Sequence, residues 1–484
     1  MDRGTKYRQI RICERGDLVT GFETLLHLLR NPATAQHVHH LEVHGAREVT
    51  DHEDPDFQRP PSETQELAEV DILNLRTAIA KAGFTEGDEP KMLLNILLQD
   101  PAGKKLQCST YSGHIAFKQA LAALLITASP QLESLAFYHI GEYDTAASYF
   151  CLVTLLRRAN RTSIAPPPYL QNLRKVIFLS DQDSPDNDEL HYIPESYYHR
   201  INLVRRLPAL ESIAFTLATW NNEAGIPPPP RSANYSEISF THSMMHEADL
   251  CCLIDSAKAL RKFTYTIGGR MLPEGGKQTV NVSPLIRSLW RHRHTLEELD
   301  LDVEDNVSWG EIYGEEGLEP ATEELDYEND EEYQEAWAEE LETLDVDLEP
   351  PPTDISLADF PKLRRLSLGP HTLCFLARGI GPNRWRGESF SRFSLVDCLP
   401  RCLEVLRIYG RGEEGDDPWL TRKICSPDLD VDAELVSMMA EKPGKLPTLT
   451  VEGFSEVIPR GRDVPEWAGE DHPLVWKQPV GWAC

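Results

Sequence analysis

One short pattern of apolar and polar positions recurs along most of the chain. Residues 363–368 read Leu-Arg-Arg-Leu-Ser-Leu, with apolar residues at the first, fourth and sixth places. The alternation at the end of this frame predicts a short β-strand whose alternate side chains face a core. The clearest other copies are residues 132–137, 173–178, 210–215, 260–265, 296–301 and 403–408, and weaker copies are 7–12, 38–43 and 446–451. A frame repeated this often indicates a repeat architecture.

Helical periodicity fills the intervals between these frames. Successive frames begin about 40 residues apart, for example at Leu132, Leu173 and Leu210, which leaves room for one strand and one helix. A connection of this length is what a pair of parallel strands requires. The spacing of apolar residues predicts helices over 146–158, 197–206, 247–258 and 283–293, and a further short strand over 237–240. The chain therefore predicts an α/β fold in which parallel strands alternate with helices.

The N-terminal part is less regular. A helix is predicted from Asp17, as its N-cap, to a stop at Asn31-Pro32, and residues 46–64 read as a polar loop. Two helical patterns and a nearly apolar helix over 115–127 follow, and we expect the last of these to be buried on most sides. The first of these patterns consists of Leu67, Val70, Leu73, Leu75 and Ile79.

Composition narrows the classes of partner. The 484 residues include 48 Lys and Arg against 78 Asp and Glu, a net charge of −30, which disfavours nucleic acid and anionic membrane surfaces. The ten cysteines lack the paired spacing of a zinc site. The N-terminus has no apolar signal core, and the most apolar run, 121–128, is too short to span a bilayer. We therefore expect a cytoplasmic or nuclear protein with no nucleic-acid and no membrane partner.

The frames and their irregular helical connections resemble leucine-rich-repeat proteins, and most of all the leucine-rich-repeat domains that follow the F-box of many fungal proteins. The segment 7–12, the helix after it and the stretch 31–43 carry the closest likeness. The resemblance implies a leucine-rich-repeat-like solenoid over residues 7–454, with parallel strands on its concave face and a C-terminal tail at 455–484. It also implies a role like that of the substrate-binding part of an F-box ubiquitin-ligase receptor.

The chain departs from that family in two ways. The Asn or Cys expected three places after the last frame residue is replaced by Glu304, His371 and Arg411, so the asparagine ladder of a tight horseshoe is not expected. The F-box itself is missing, because a bundle of roughly forty residues would have to precede Tyr7. A cullin-ligase adaptor is thus an expected partner only if an F-box lies upstream.

An acidic insertion interrupts the frames over residues 302–352. It holds 21 acidic residues from Asp302 to Glu349, and no Lys or Arg occurs between Arg293 and Lys362. Its start reads as a loop, whereas Tyr333 and Trp337, with two leucines after them, have helical spacing. Three interpretations stay open. The helix packs as an ordinary helix of an expanded repeat, or it docks a basic partner or the protein's own basic ridge, or the insertion is a solvated loop.

Signals of catalysis are weak. Residues 410–415 read Gly-Arg-Gly-Glu-Glu-Gly directly after a strand frame, which is the position of a dinucleotide-binding loop. Glu413 and Glu414 would repel a phosphate, so we interpret the motif as a turn and keep a nucleotide-binding enzyme as the alternative function. His292 and His294 suit the negative end of a helix dipole, and their spacing cannot chelate one metal. We expect no enzyme activity, no cofactor and no metal site.

The outward positions of the frames are the remaining candidates for function, because extended faces of solenoids bind partners. We expect a non-catalytic protein-recognition scaffold with unidentified protein partners. The candidate partner-binding residues are Tyr138, Lys175, Lys262, Glu298, Asp300, Asp302, Arg365, Arg407 and Tyr409 on the strands, with Tyr333 and Trp337 on the acidic insertion.

Overall fold

The computed structural model describes thirteen stretches of the chain, and all element bounds and counts below refer to them. They are residues 8–12, 15–44, 67–98, 111–138, 151–161, 168–179, 192–194, 196–219, 225–268, 280–307, 350–380, 394–410 and 430–458. The chain divides into two compact units. The first comprises Met1–Asp188 and His199–Ala214, and the second comprises Glu189–Tyr198 and Phe215–Cys484.

Short strands alternate with helices in both units. The strands are β1 (Gln9–Ile12), β2 (His40–Val43), β3 (Ser134–Tyr138), β4 (Lys175–Leu179), β5 (Ile193–Pro194), β6 (Ser212–Thr216), β7 (Ala218–Thr219), β8 (Glu237–Thr241), β9 (Lys262–Thr266), β10 (Glu298–Asp302), β11 (Arg365–Leu368), β12 (Val405–Ile408) and β13 (Thr450–Glu452). The helices are α1 (Arg15–Arg30), α2 (Pro32–Ala35), α3 (Glu69–Lys81), α4 (Glu89–Leu97), α5 (Tyr111–Ala128), α6 (Cys151–Asn160), α7 (Tyr197–Asn202), α8 (Glu247–Ser256), α9 (Val282–Trp290), α10 (Pro370–Arg378), α11 (Leu395–Cys398) and α12 (Val431–Lys445). Short 3-10 helices cover Glu304–Asn306 and Leu357–Asp359.

In each unit the main strands lie in a parallel sheet, which confirms the predicted α/β class. In the first unit the strand order is β1-β2-β3-β4-β6, and the pairs from β1 to β4 are parallel. In the second unit the order is β8-β9-β10-β11-β12-β13, again with parallel pairs throughout. Strands β5 and β7 form a separate two-stranded parallel pair in the second unit.

Corresponding frame positions lie side by side in this register. Leu299 on β10 is paired with Phe263 on β9 and with Leu366 on β11, and these three side chains are fully buried. The fourth and sixth frame positions thus form continuous apolar rows across the sheet. Such rows account for the repeated frame, because each strand can bury its apolar face only against its neighbours.

Each of the seven clear frames begins two residues before its observed strand. Leu363, for example, is buried but lies in the turn that precedes β11, where its amide donates to the carbonyl oxygen of Phe360 at 3.2 Å. Its side chain contributes to the core although its backbone does not join the sheet. Sequence periodicity reports burial, and here burial starts one turn earlier than strand pairing.

Helix α3 in the first unit buries only part of the apolar pattern that predicted it. Val70 is 57% exposed and Leu73 is 62% exposed, whereas Leu75 and Ile79 are buried. Asp71, on the buried side, accepts hydrogen bonds from Nε and Nη2 of Arg30 on helix α1. This ion pair helps to fix which side of α3 faces α1, and Val70 and Leu73 are left on the other side.

The remaining helix predictions hold with shifted ends. Helix α1 ends at Arg30, next to the predicted Asn31-Pro32 stop, and residues 117–126 of α5 are buried as expected. Helix α9 ends at Trp290, so His292 lies in the following turn and not in the last helical turn. No helix in the described stretches is long and apolar enough to cross a bilayer.

Candidate functional site

The outward positions of β9 to β13 form a charged face in the second unit, which we call the charged sheet face. It is defined by Lys262, Glu298, Asp300, Arg365, Arg407, Tyr409 and Glu452. These side chains share one face because side chains alternate along a strand and the inward positions are occupied by the buried apolar rows. Six of these seven residues are sequence predictions, and the structure places them on, or directly after, the neighbouring strands β9 to β12; Glu452 on β13 is the residue that the sequence did not predict.

Ion pairs link neighbouring strands on this face. The ammonium nitrogen Nζ of Lys262 lies 2.9 Å from Oε1 of Glu298, and Arg365 stands on the other side of Glu298 in the strand register. The Nε of Arg407 donates to Oε2 of Glu452 at 2.9 Å. Burial alone would lower the pKa of Arg407, but its hydrogen bonds with Glu452 and Tyr409 outweigh burial and raise it. Pairs of this kind, with both partners partly exposed, hold side-chain positions more than they add stability.

A longer hydrogen bond crosses the face. The hydroxyl of Tyr409, which directly follows β12, donates to Oδ1 of Asp300 on β10 at 2.9 Å. It passes over β11, where the small side chain of Ser367 is paired in register with Asp300. Burial raises the pKa of Asp300 and also that of Tyr409, whose pKa the Asp300 carboxylate raises further. Asp302, the predicted residue two places after Asp300 on β10, is buried, with 6% of its surface exposed.

Two predicted residues lie in the first unit. Tyr138 is the last residue of β3, and the guanidinium carbon of the buried Arg200 lies 6.0 Å from the centroid of its ring. Lys175 is the first residue of β4, is exposed, and is paired in register with Ser134. Tyr333 and Trp337 of the acidic insertion lie outside the described residues.

The glycine motif is described only at its first residue. Gly410 has a left-handed backbone (φ +61°), and its amide donates to the carbonyl oxygen of Ile458 at 2.8 Å. Gly410 therefore makes a turn at the end of β12, as the interpretation of the motif as a turn expects. Residues 411–415 lie outside the described stretches, so the nucleotide-binding alternative stays untested.

Two cysteine thiols have pKa values shifted away from the reactive thiolate form. Burial raises the pKa of Cys151 and of Cys251 to about 12, so both thiols stay protonated at neutral pH. Within the part of the chain that the structure describes, no group of three or more His, Cys, Asp and Glu side chains could hold a metal ion.

His292 is a buried side chain in the turn after α9, and not a group in the last turn of the helix, where the sequence placed it. Its Nδ1 accepts from the amide of Leu260 at 3.2 Å, and its Nε2 lies 2.9 Å from the carbonyl oxygen of Ile254. Because Nδ1 accepts a hydrogen bond and Nε2 donates one, the ring carries a single proton and is neutral. Burial lowers the pKa of His292 to about 4. The side chain therefore acts as a neutral link between α8, the start of the next frame and the turn after α9.

Glu304 is a structural residue whose role the sequence prediction missed. Its carboxylate, 4% exposed, accepts from the amide of His371 at 3.1 Å, from the His371 ring Nδ1 at 2.6 Å and from the amide of Thr372 at 3.1 Å. It caps the N-terminus of α10 from the preceding strand–helix pair. Glu304 and His371 occupy equivalent places three residues after their frames, and that equivalence was the signal available in the sequence.

No family model matches the chain, and neither a curated protein nor a solved structure matches it.

Proposed function

We propose that the protein is a non-catalytic protein-recognition scaffold, built as a leucine-rich-repeat-like solenoid and binding through its charged sheet face. In this proposal it resembles the substrate-binding part of an F-box ubiquitin-ligase receptor. The observation that carries the proposal is the organisation of the charged sheet face. Six of its seven side chains are paired with a side chain of another strand before any partner arrives, which lowers the entropic cost of binding.

The arrangement of the face favours a large partner over a small molecule. Lys262 and Glu298 form an ion pair on two adjacent strands, and Arg407 and Glu452 form another on two strands further along the sheet. Adjacent strands lie about 4.8 Å apart, so a ligand that meets both pairs has to span the five strands from β9 to β13. Extended faces of this kind suit protein partners.

The repeat interpretation has separate support. Every main strand of the second unit from β9 to β12 uses the same frame positions in the same register. The Glu304 carboxylate accepts hydrogen bonds from two backbone amides of the next strand–helix pair. Glu304 stands three residues after its frame, where leucine-rich-repeat proteins carry the Asn or Cys of their ladder. A carboxylate can satisfy these amides as an asparagine oxygen would.

A basic partner is favoured by the overall charge. The net charge of −30 steers cationic surfaces toward the protein, and this steering weakens as salt rises. We therefore expect the association rate with the partner to fall with ionic strength. A cullin-ligase adaptor is a partner in this proposal only if an F-box lies upstream of the sequence.

The test is affinity capture from the native cell followed by binding measurements with purified partner. The face variant is Lys262→Ala, Glu298→Ala and Arg365→Ala. The matched control removes an exposed ion-pair cluster on helices α11 and α12, where the Lys445 ammonium lies 2.6 Å from Asp397 and 2.7 Å from Glu441. A partner bound by wild type and by the control, but at least tenfold more weakly by the face variant, supports the proposal. A partner bound equally by all three proteins refutes the role of the face.

A further inference from the structure

Charge alternates from strand to strand along the N-terminal edge of the second unit's sheet. Strand β9 and the residue before it present two cations, Arg261 and Lys262, and the equivalent positions at β10 present two anions, Glu297 and Glu298. The equivalent positions at β11 are again cations, Arg364 and Arg365. The outer neighbours continue the alternation, with Glu237 on β8 and Glu404 before β12.

Opposite charges at these positions lie within 4.0 Å of each other across three of the four strand boundaries in the series, and at the β10–β11 boundary Glu298 is in register with Arg365. The Arg261 guanidinium lies 4.0 Å from the Glu237 carboxylate and 3.9 Å from that of Glu297. Lys262 lies 2.9 Å from Glu298, and Arg364 lies 3.4 Å from Glu404. The first unit has the same kind of contact, with Arg174 3.6 Å from Glu211.

The apolar frame cannot by itself decide which strand lies next to which. Phe263, Leu299, Leu366 and Leu406 occupy the same frame position, and all are fully buried in the same register. A strand pairing that skipped β10 would place the apolar residues of β9 against those of β11 without a mismatch in the pattern. It would also place Arg261 and Lys262 beside Arg364 and Arg365, and like charges directly opposite each other are unfavourable.

We propose that this alternation of charge selects the neighbour of each strand during folding and so guards the sheet against pairings that skip one strand. The selection acts through repulsion in the wrong pairing more than through attraction in the right one, because exposed ion pairs add little stability. Strand pairing in repeated sequences needs such a signal wherever the apolar patterns of the strands are interchangeable. The inference concerns folding and stands independently of the proposed binding function.

The test traps the skipped pairing directly. Thr264 on β9 and Ser367 on β11 are both paired in register with Asp300, so two strand spacings separate them in the native sheet. That separation is about 9.6 Å, too far for a disulfide, whereas direct pairing of β9 with β11 would bring cysteines at these positions within reach. The full chain with Thr264→Cys and Ser367→Cys is refolded under oxidising conditions. The reaction is quenched by alkylation, and the 264–367 bond is quantified by peptide mass spectrometry in the total protein, aggregates included.

Glu298→Lys, added to the cysteine pair, places three cations in one row across β9, β10 and β11. We expect about a fivefold rise in the 264–367 bond, as the added repulsion between adjacent unit charges predicts. Glu298→Gln removes the attraction without adding repulsion and should give no comparable rise. A fourfold inversion, Glu237→Lys with Lys262→Glu, Glu298→Lys and Arg365→Glu, restores alternation with opposite signs and should return the bond to its starting level.

A control variant, Asp397→Lys, introduces a similar repulsion with Lys445 on exposed helices outside the sheet. It should leave the 264–367 bond unchanged. The proposal is overturned if Glu298→Lys gives no rise, if the Gln or Asp397 variants give an equal rise, or if the inverted set behaves like Glu298→Lys alone.

Discussion

The buried carboxylate of Glu304 allows a quantitative test of how one strand–helix pair supports the next. Replacing Glu304 with Ala removes three hydrogen bonds to a charged acceptor, two of them from the backbone amides of His371 and Thr372. These amides stand in the first turn of α10, where a capping side chain is worth about 0.5–2 kcal/mol. A bond to a charged group contributes about 1.5–3 kcal/mol, and these bonds are not additive because they share one carboxylate. We expect Glu304→Ala to lower the free energy of unfolding by about 3 kcal/mol.

Gly369 makes the test specific to this contact. A Cβ at position 369 would overlap the Glu304 carboxylate, while the backbone of Gly369 (φ −72°, ψ 158°) is one that alanine readily adopts. Gly369→Ala should therefore destabilise the wild type by about 2 kcal/mol through steric overlap. In the Glu304→Ala background the carboxylate is gone, and only the Cβ of residue 304, which lies 2.8 Å from the added Cβ, still has to shift. The same change should then cost at most about 0.5 kcal/mol, because alanine also restricts the unfolded chain.

The assay is a double-mutant cycle with urea unfolding followed by circular dichroism, supplemented by hydrogen exchange of the peptide that contains His371 and Thr372. A coupling free energy above about 1.5 kcal/mol and faster exchange at these amides are the expected results. Additive effects within about 0.5 kcal/mol would refute the reasoning, because they would mean that Gly369 and the carboxylate do not compete for the same space.

Three further predictions follow from single features. The pKa of His292 is about 4 in the folded protein and about 6.5 when unfolded, so the unfolded state binds the extra proton and stability falls as pH drops from 6.5 toward 4, by about 1.4 kcal/mol per pH unit. Urea midpoints should therefore fall more steeply between pH 7 and pH 5 in wild type than in His292→Gln, and parallel profiles would contradict this. Gly453 has φ +80° and a Cβ there would overlap the carbonyl oxygen of Ile408, so Gly453→Ala should lower the free energy of unfolding by about 2 kcal/mol. Gly444→Ala on α12 adds a Cβ that meets nothing within 4 Å and should not destabilise the protein, so equal melting temperatures for the two variants would refute this. Replacing residues 308–349 with a flexible linker of about ten residues should preserve cooperative unfolding, because the β-bridges of Val307 with Val280 and of Ile355 with Ile380 remain. Loss of the cooperative transition would show that the insertion belongs to the core.

The structure also determines at which residue a deletion of the acidic insertion can begin. The sequence places the acidic insertion at 302–352, and nothing in its composition separates Glu304 from the acidic residues after it. In the folded protein Glu304 is a buried cap and Asp302 closes β10. A deletion from Glu304 onward would therefore remove a structural contact together with the insertion.

The local pattern of the sequence determined the elements of the sheet. A frame with apolar residues at its fourth and sixth places specifies a strand with one buried face, because side-chain direction alternates along any extended backbone. The same alternation predicted the outward residues, among them Lys262, Glu298 and Arg407, without any information on which strands lie next to each other. These properties depend only on residues within one frame, so periodicity sufficed.

Tertiary structure decided everything that depends on partners distant in the chain. The hydrogen bond between Tyr409 and Asp300 spans 109 residues, and the contact of Glu304 with His371 spans 67. The charge state of His292 follows from its burial against α8, and the buried side of α3 is the side of Asp71, which pairs with Arg30 on another helix. Burial and electrostatic environment are set by whichever residues become neighbours in the fold, and no pattern within a single segment of sequence contains that information.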